Sequence, residues 1–366
     1  MKKAIALTLA LMLVIGVSAY ALAESGTIDI GIVLPTKEET RWLGDEANFV
    51  QIIEEKGYRA EILYSQKSSA TEKTNVETFI SKGAKVIILC PYDDVAAAAT
   101  AEEAVKEGVK IIAYDRLLTD TEAVDYYVTF DNASTGAAMG QYLVDQAGDR
   151  KGLNLYMYSG ALTDFNAYIY FEGAWNILQP KIADGTFIVR NCEKAVEFME
   201  KPVLTREEQT ALLSTIDTEW EMDLSKTMAE AHLTASDASA KGEVFVLTPA
   251  DDDCARALSD VFRADADVTT WHITGADGVE ASVQYLIDGK QSMTVYQDTM
   301  ELVKAAMTAA ERFVAGEEPE YNLIENNGVT DILTMQCPAT TITRDNLVEK
   351  FFVSGVYDGS LYENWQ

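Results

Sequence analysis

Short apolar runs alternate with longer amphipathic stretches along nearly the whole chain, and this rhythm constrains the fold more than any other feature. A brief apolar run bounded by turn residues reads as a strand buried on both faces, and a longer stretch with a 3.6-residue period reads as a helix, so repeated alternation predicts βα units and a parallel sheet. Strands are predicted at Ile28–Leu34, Lys85–Cys90, Lys110–Tyr114, Tyr126–Phe130, Leu153–Tyr158, Phe187–Arg190, Val244–Thr248, Thr269–Thr274 and Met293–Gln297. Helices are predicted at Glu46–Lys56, Thr71–Ser81, Val95–Lys106, Thr135–Gln146, Asn166–Ile182, Leu224–Leu233, Asp253–Ala264, Val279–Ile287 and Thr299–Val314, while 193–214 has no clear period and reads as a loop or short helix. Gly57, Gly83, Gly108 and Gly289 stand at helix ends, where a left-handed residue closes the last turn.

So many strands and crossovers exceed what one compact sheet usually holds, so two doubly wound lobes are expected. No Pro/Gly/Ser linker separates them. The chain should therefore pass between lobes in short strand-like segments, near Asp131, Thr274 and Asn326. This gives a first lobe of 27–131 plus 275–325, a second of 132–274 plus 326–366, and a cleft between them.

The 366 residues include 59 Asp or Glu against 29 Lys or Arg, a formal charge of −30. Binding a phosphate backbone requires clustered cations, so nucleic acid is not an expected partner. The chain opens on Met1-Lys2-Lys3, an apolar run from Ala4 to Val17, and Ala21-Leu22-Ala23. That pattern is a secretory leader, 1–23, cleaved after Ala23, with an apolar run shorter than the ~18 residues of a membrane span. A periplasmic or extracellular protein is implied. Cys90, Cys192, Cys254 and Cys337 lie far apart without a C-x-x-C pair, and most sit in or beside apolar runs, so they read as buried small hydrophobes. His232 and His272 have no ligand partner at helical or strand spacing, and Asp265-Ala-Asp267 lacks the Gly and Glu of a calcium loop. No metal and no cofactor are expected.

Ligands of open α/β sheets bind beyond the carboxyl ends of the strands, so the residues just after each apolar run are the informative ones. They are uniformly polar: Arg41-Trp42 after the first strand, then Asp93-Asp94, Asp115-Arg116 and Asp131-Asn132; later Asp164-Phe165-Asn166, Asp251-Asp252-Asp253, Asp277 and Gln297-Asp298. A short polar acceptor there can simply cap a helix, which is the expectation for Asp94, Asp253 and Asp298 taken singly. Capping explains neither paired polar residues nor Arg41 and Arg116. An Arg in a cleft needs a carboxylate or a hydroxyl-rich partner, although Asp115 and Arg116 could also pair with each other structurally. Sugar hydroxyls both donate and accept, so carboxylates, amides and guanidiniums together suit them, and the C–H face of a pyranose suits an aromatic wall. Trp42 and Trp220, in polar surroundings, are the candidate walls; Trp175 and Trp271 read as core.

These residues carry a resemblance. Thr36-Lys37…Arg41-Trp42, Ile111 through Leu117, Thr129-Phe130-Asp131-Asn132, Thr163 through Ala167, Thr274-Gly275-Ala276-Asp277 and Ser292 through Tyr296 resemble, in this order and spacing, the xylose and multiple-monosaccharide periplasmic binding proteins of ABC importers. The likeness runs from about Ile28 to Tyr362. It implies two Rossmann-like lobes joined by three crossovers, the type I periplasmic-binding fold, closing on a monosaccharide that is passed to a permease. By that resemblance Trp42 and Trp220 stack the sugar, and Arg41, Asp115, Arg116, Asp164, Asn166 and Asp277 hold its hydroxyls, helped by polar groups after the strand ending at Thr248. Two positions depart from the family: Ala250-Asp251 where Asn-Asp is frequent, and Gln297 where a Lys is frequent. Losing that Lys removes a cation from an Asp-rich pocket and leaves an amide that donates and accepts.

A glycosidase would also place two carboxylates around a sugar. The alternation with Arg and the resemblance to non-catalytic receptors favour a binding protein over an enzyme. A repressor would need a basic helix-turn-helix where the leader stands. A sugar receptor feeding a chemoreceptor or sensor kinase shares the binding chemistry and differs in its partner.

Overall fold

The computed structural model describes residues 27–365; the expected leader, 1–23, lies outside the described residues. In the first lobe β1 (Ile30–Leu34), β2 (Ala60–Tyr64), β3 (Val86–Leu89), β4 (Lys110–Tyr114) and β5 (Tyr126–Phe130) pair in parallel in the order β2-β1-β3-β4-β5. α1 (Thr40–Lys56), α2 (Ser69–Ser81) and α3 (Ala96–Lys106) connect them. β1, β3 and β5 are buried along their whole length, which is why they read as continuous apolar runs.

After β5, Asp131 caps α4 (Asn132–Ala147) by accepting the Ser134 amide. In the second lobe β6 (Leu153–Met157), β7 (Phe187–Val189), β8 (Gly242–Leu247) and β9 (Val268–Ile273) pair in the order β7-β6-β8-β9. A short strand β10 (Ala276–Asp277), β11 (Met293–Gln297) and β14 (Ala339–Thr343) continue this layer, tied to it by Ser292 N–H to the Ile273 carbonyl at 2.9 Å.

Two crossings fall later than expected. β11 pairs with β10 and β14 and packs on α4, so it stays in the second lobe; the chain returns only after Asp298, where α11 (Thr299–Ala315) packs on α1 and on β3, β4 and β5. It leaves the first lobe at Pro338, after β12 (Leu323–Asn326) and β13 (Asp331–Cys337) have extended the first sheet. Thr274 and Asn326 are therefore corrected to about Asp298 and Pro338, and the segments 275–297 and 326–337 change lobe. Gly275, directly after Thr274, serves a close approach within the second lobe: a Cβ there would lie 2.4 Å from Asp252 Oδ1 and 2.1 Å from Gln291 Nε2.

β2, β12, β13 and β14 escaped the periodicity reading. β2 and β12 are sheet edges with few fully buried residues, and β13 and β14 mix buried and exposed positions, so none forms an apolar run. The aperiodic stretch holds α6 (Glu193–Glu197) and α7 (Arg206–Leu213); α7 opens on a reciprocal capping box between Thr205 and Glu208, a signal present in the sequence. α5 (Phe165–Ala183), α8 (Met222–Ala235), α9 (Asp252–Ala264) and α10 (Glu280–Ile287) complete the second lobe. Gly57, Gly83, Gly108 and Gly289 all adopt positive φ at helix ends. The four cysteines are buried and unpaired. Trp175 is core, whereas Trp271 is only half-buried, with Nε1 donating to the Gly289 carbonyl and the Arg263 guanidinium over its ring. Among the described residues no helix is long and apolar enough to cross a membrane.

Candidate functional site

Both lobes present their strand ends to one cleft, and the cleft is shut. A small pocket lies between them, lined by residues of both lobes. Of the residues singled out in the sequence, Arg41, Trp42, Asp115, Arg116, Asp164, Asn166, Trp220, Asp251 and Asp277 line it. Gln297 does not. It is buried behind the wall, its Nε2 donating to Tyr170 Oη at 3.2 Å and to Asn132 Oδ1 at 3.3 Å.

Glu39, Tyr170 and Ala250 also line the pocket. Tyr170 had a legible signal: it stands four residues after Asn166 on α5 and so shares its face. Glu39 was missed, because α1 begins at Thr40 rather than Glu46 and Glu39 stands at its cap. The first turn of α1 faces the cleft with polar groups and therefore carries no apolar period. The same reason hid the first turn of α4.

The guanidinium of Arg41 is gripped on three sides: Nε to Asp45 Oδ2 at 2.8 Å, Nη2 to Asp115 Oδ2 at 2.6 Å, and Nη1 to Asp277 Oδ1 of the other lobe at 3.4 Å. Arg116 does not pair with Asp115; its Nε sits 2.9 Å from Asp164 Oδ2 across the cleft, and Nη2 lies 3.5 Å from Glu39 Oε2. Asn166 Nδ2 reaches back to the Asp115 carbonyl at 3.1 Å, and Asn132 Nδ2 donates to Asn166 Oδ1 at 2.9 Å. Direct polar contacts thus join the lobes at several points, with Lys67–Glu221 at the rim.

The Trp42 ring lies 5.1 Å from both guanidinium carbons, a cation–π arrangement that holds the aromatic wall in place. Trp220 meets Tyr170 edge-to-face and packs against Gly160, where a Cβ would lie 2.1 Å from the indole. Its Nε1 is buried and finds no acceptor within the protein. Asp115, Trp220, Ala250 and Asp277 all take left-handed backbone, at φ of 63°, 59°, 65° and 79°. Four such non-glycine residues around one pocket mark a strained, over-determined site.

The expected capping roles held only in part. Asp298 caps α11, but beside Asp94 it is Asp93 that accepts the Val95 and Ala96 amides, and α9 is capped by Asp251, not Asp253.

Burial dominates the electrostatics. It pushes Asp164 up to about 6 against the pull of Arg116, and it raises Asp277, with Arg41 opposing and Asp252 and Asp115 adding to the rise. Asp251 is likewise raised by burial, then by Asp277 and Asp253. A carboxylate raised in the closed form stabilises closure fully below its ordinary value near 3.8, and that contribution is lost as pH climbs through the raised value. Ligand-free protein should consequently be more closed at pH 5 than at pH 8, read as a smaller radius of gyration by small-angle scattering. An equal or larger radius at pH 5 would contradict this account.

Residues 30–318 match the periplasmic binding protein domain. The chain belongs to that family. This binding protein is 29% identical to the multiple sugar-binding periplasmic receptor ChvE of Rhizobium radiobacter, over 98% of each chain, and 24% identical to the D-xylose-binding periplasmic protein of Escherichia coli, over 92% of this chain and 93% of that one. Among solved structures, the carbohydrate transporter solute binding protein of Chloroflexus aurantiacus, in complex with D-glucose, is 49% identical with a TM-score of 0.90, covering 93% of this chain and 100% of that one. An ABC transporter solute binding protein of Clostridium phytofermentans with bound β-D-glucose follows at 25% identity and TM-score 0.79, covering 90% and 98%. The fold of this binding protein is accordingly the two-lobed α/β fold expected from its rhythm.

Proposed function

We propose that this binding protein works outside the cytoplasm as the solute receptor of an ABC importer, capturing one monosaccharide, xylose or another aldopentose or aldohexose, and presenting it to the permease in the closed form. One observation carries the reading: groups from both lobes meet around one pocket in which carboxylates outnumber guanidiniums and aromatic rings form walls. The surplus carboxylates need donors that bring no negative charge, and sugar hydroxyls supply them. The buried Trp220 Nε1–H needs an acceptor, which a ring or hydroxyl oxygen supplies. A sugar touching both lobes stabilises the closed form by its differential affinity for it. Nothing in this scheme requires a bond to break, and the relatives reported above are named as a receptor and binding proteins.

Calorimetric titration with a panel of pentoses and hexoses tests the proposal. One neutral monosaccharide should bind saturably at one site and change the tryptophan fluorescence, since two tryptophans line the pocket. Its uronic acid counterpart should bind at least about 100-fold more weakly, because a like charge in a desolvated acidic pocket is worth several kcal/mol. Absence of saturable binding across the panel, or release of aryl groups from aryl-glycosides, would refute it.

A further inference from the structure

The run Asp251-Asp252-Asp253 opens α9, and its three carboxylates serve three different places. Asp251 caps α9 and lines the pocket. Asp252 is fully buried and accepts the Gly278 and Val279 amides at 3.0 and 3.2 Å, which fixes the turn after Asp277. Asp253 reaches out of its own lobe: Oδ2 accepts the backbone N–H of Thr40 on the first lobe at 3.1 Å.

Thr40 is the first residue of α1, and α1 has no side-chain cap from its own flank. Glu39 occupies the capping position with extended backbone, but its carboxylate is taken by Trp42 Nε1 at 2.7 Å rather than by a helix amide. We propose that Asp253 is a positioning residue for the sugar site, supplying from the opposite lobe, and only when the cleft is shut, the cap that α1 lacks. The inference rests on the proposed function, since it concerns how the same site holds its ligand. Amides at a helix start are without intrahelical partners, and a carboxylate there is favoured by the helix dipole as well as by the bond. Arg256 Nη2, 2.5 Å from Asp253 Oδ1, holds the carboxylate in place on its own side. The turn so fixed carries Glu39, Arg41 and Trp42. Because the contact exists only in the closed form, it slows release without speeding capture.

Thr40→Pro removes this one donor at a position where proline fits: the first helical residue needs no N–H, and Glu39, at φ −88° and ψ 126°, already has the backbone that precedes a proline. With the sugar identified by titration, Thr40→Pro should raise Kd roughly five-fold, the size of a lost helix cap, through faster dissociation in stopped-flow fluorescence. The unfolding midpoint of the ligand-free protein should stay level or rise, the opposite direction to the affinity. Asp253→Ala should show the same loss of affinity, Asp253→Asn should stay near wild type because an acceptor oxygen remains, and Thr40→Pro with Asp253→Ala together should be no worse than either alone. Additive losses in the double variant, or Thr40→Pro binding as tightly as wild type, would overturn this inference while leaving the proposed function standing. A wild-type protein that takes no sugar would overturn both.

Discussion

Asp115→Ala should raise the sugar Kd by about 100- to 10,000-fold while leaving the far-UV circular dichroism unchanged. The carboxylate sits just past the carboxyl end of β4, with Oδ2 on Arg41 at 2.6 Å and Oδ1 within 3.3 Å of Asn166 Nδ2. Hydrogen bonds to a charged group are worth about 1.5–3 kcal/mol each, so losing two of them to ligand or to the pocket wall amounts to roughly 3–6 kcal/mol. The fold should survive for a separate reason. Arg41 keeps Asp45 and Asp277, and the Asp115 carbonyl, which accepts Tyr127 Oη at 2.8 Å, is untouched by the change. Alanine adds some strain at φ 63°, about 1 kcal/mol, whereas asparagine tolerates the left-handed region. Asp115→Asn should therefore fall between alanine and wild type, which separates the missing charge from the strained backbone. Calorimetry on both variants decides the matter; a Kd for Asp115→Ala within three-fold of wild type would remove Asp115 from the site.

Gly136→Ala should destabilise the protein by about 3 kcal/mol or more, whereas Gly44→Ala should stabilise it by about 0.5–1 kcal/mol. A Cβ on Gly136 would lie 1.9 Å from the carbonyl oxygen of Tyr170 and 2.7 Å from its carbon, and on Gly173 it would lie 2.1 Å from the Ala133 oxygen. α4 and α5 thus touch backbone to backbone. Neither partner atom belongs to a flexible side chain, so relief requires one helix to move. α5 carries Asp164 at its cap, with Asn166 and Tyr170 on the face toward the pocket, so affinity should fall along with stability. Gly44 is an exposed position inside α1 with nothing within 4 Å of a built Cβ, and there alanine only reduces the freedom of the unfolded chain. Urea unfolding of the two variants gives the comparison. Equal midpoints would contradict the close approach of α4 and α5.

The strands that run through the middle of each sheet were legible because burial on both faces leaves no room for polar residues, as the uninterrupted VIIL of β3 illustrates. The edge strands and the first turns of α1 and α4 were not, since half their neighbours are water or the cleft. The candidate site was legible for a related reason: a chain that places Asp, Asn and Arg after one buried strand after another is supplying polar groups where the sheet ends. Gln297 misled because it ends β11, a place in sequence that resembles that of the lining residues at the other strand ends. Only packing against Tyr170 and Asn132 sets it behind the wall.

The amino-acid order alone determined the βα architecture, the polar character of the strand ends and the aromatic candidates, because each follows from periodicity and residue chemistry within a few positions. The tertiary structure alone decided where the chain changes lobes, which guanidinium meets which carboxylate, and that a helix start on one lobe is capped from the other. Those outcomes depend on contacts between residues tens to hundreds of positions apart, such as Arg41 with Asp277 and Thr40 with Asp253, and no local pattern encodes such a distance.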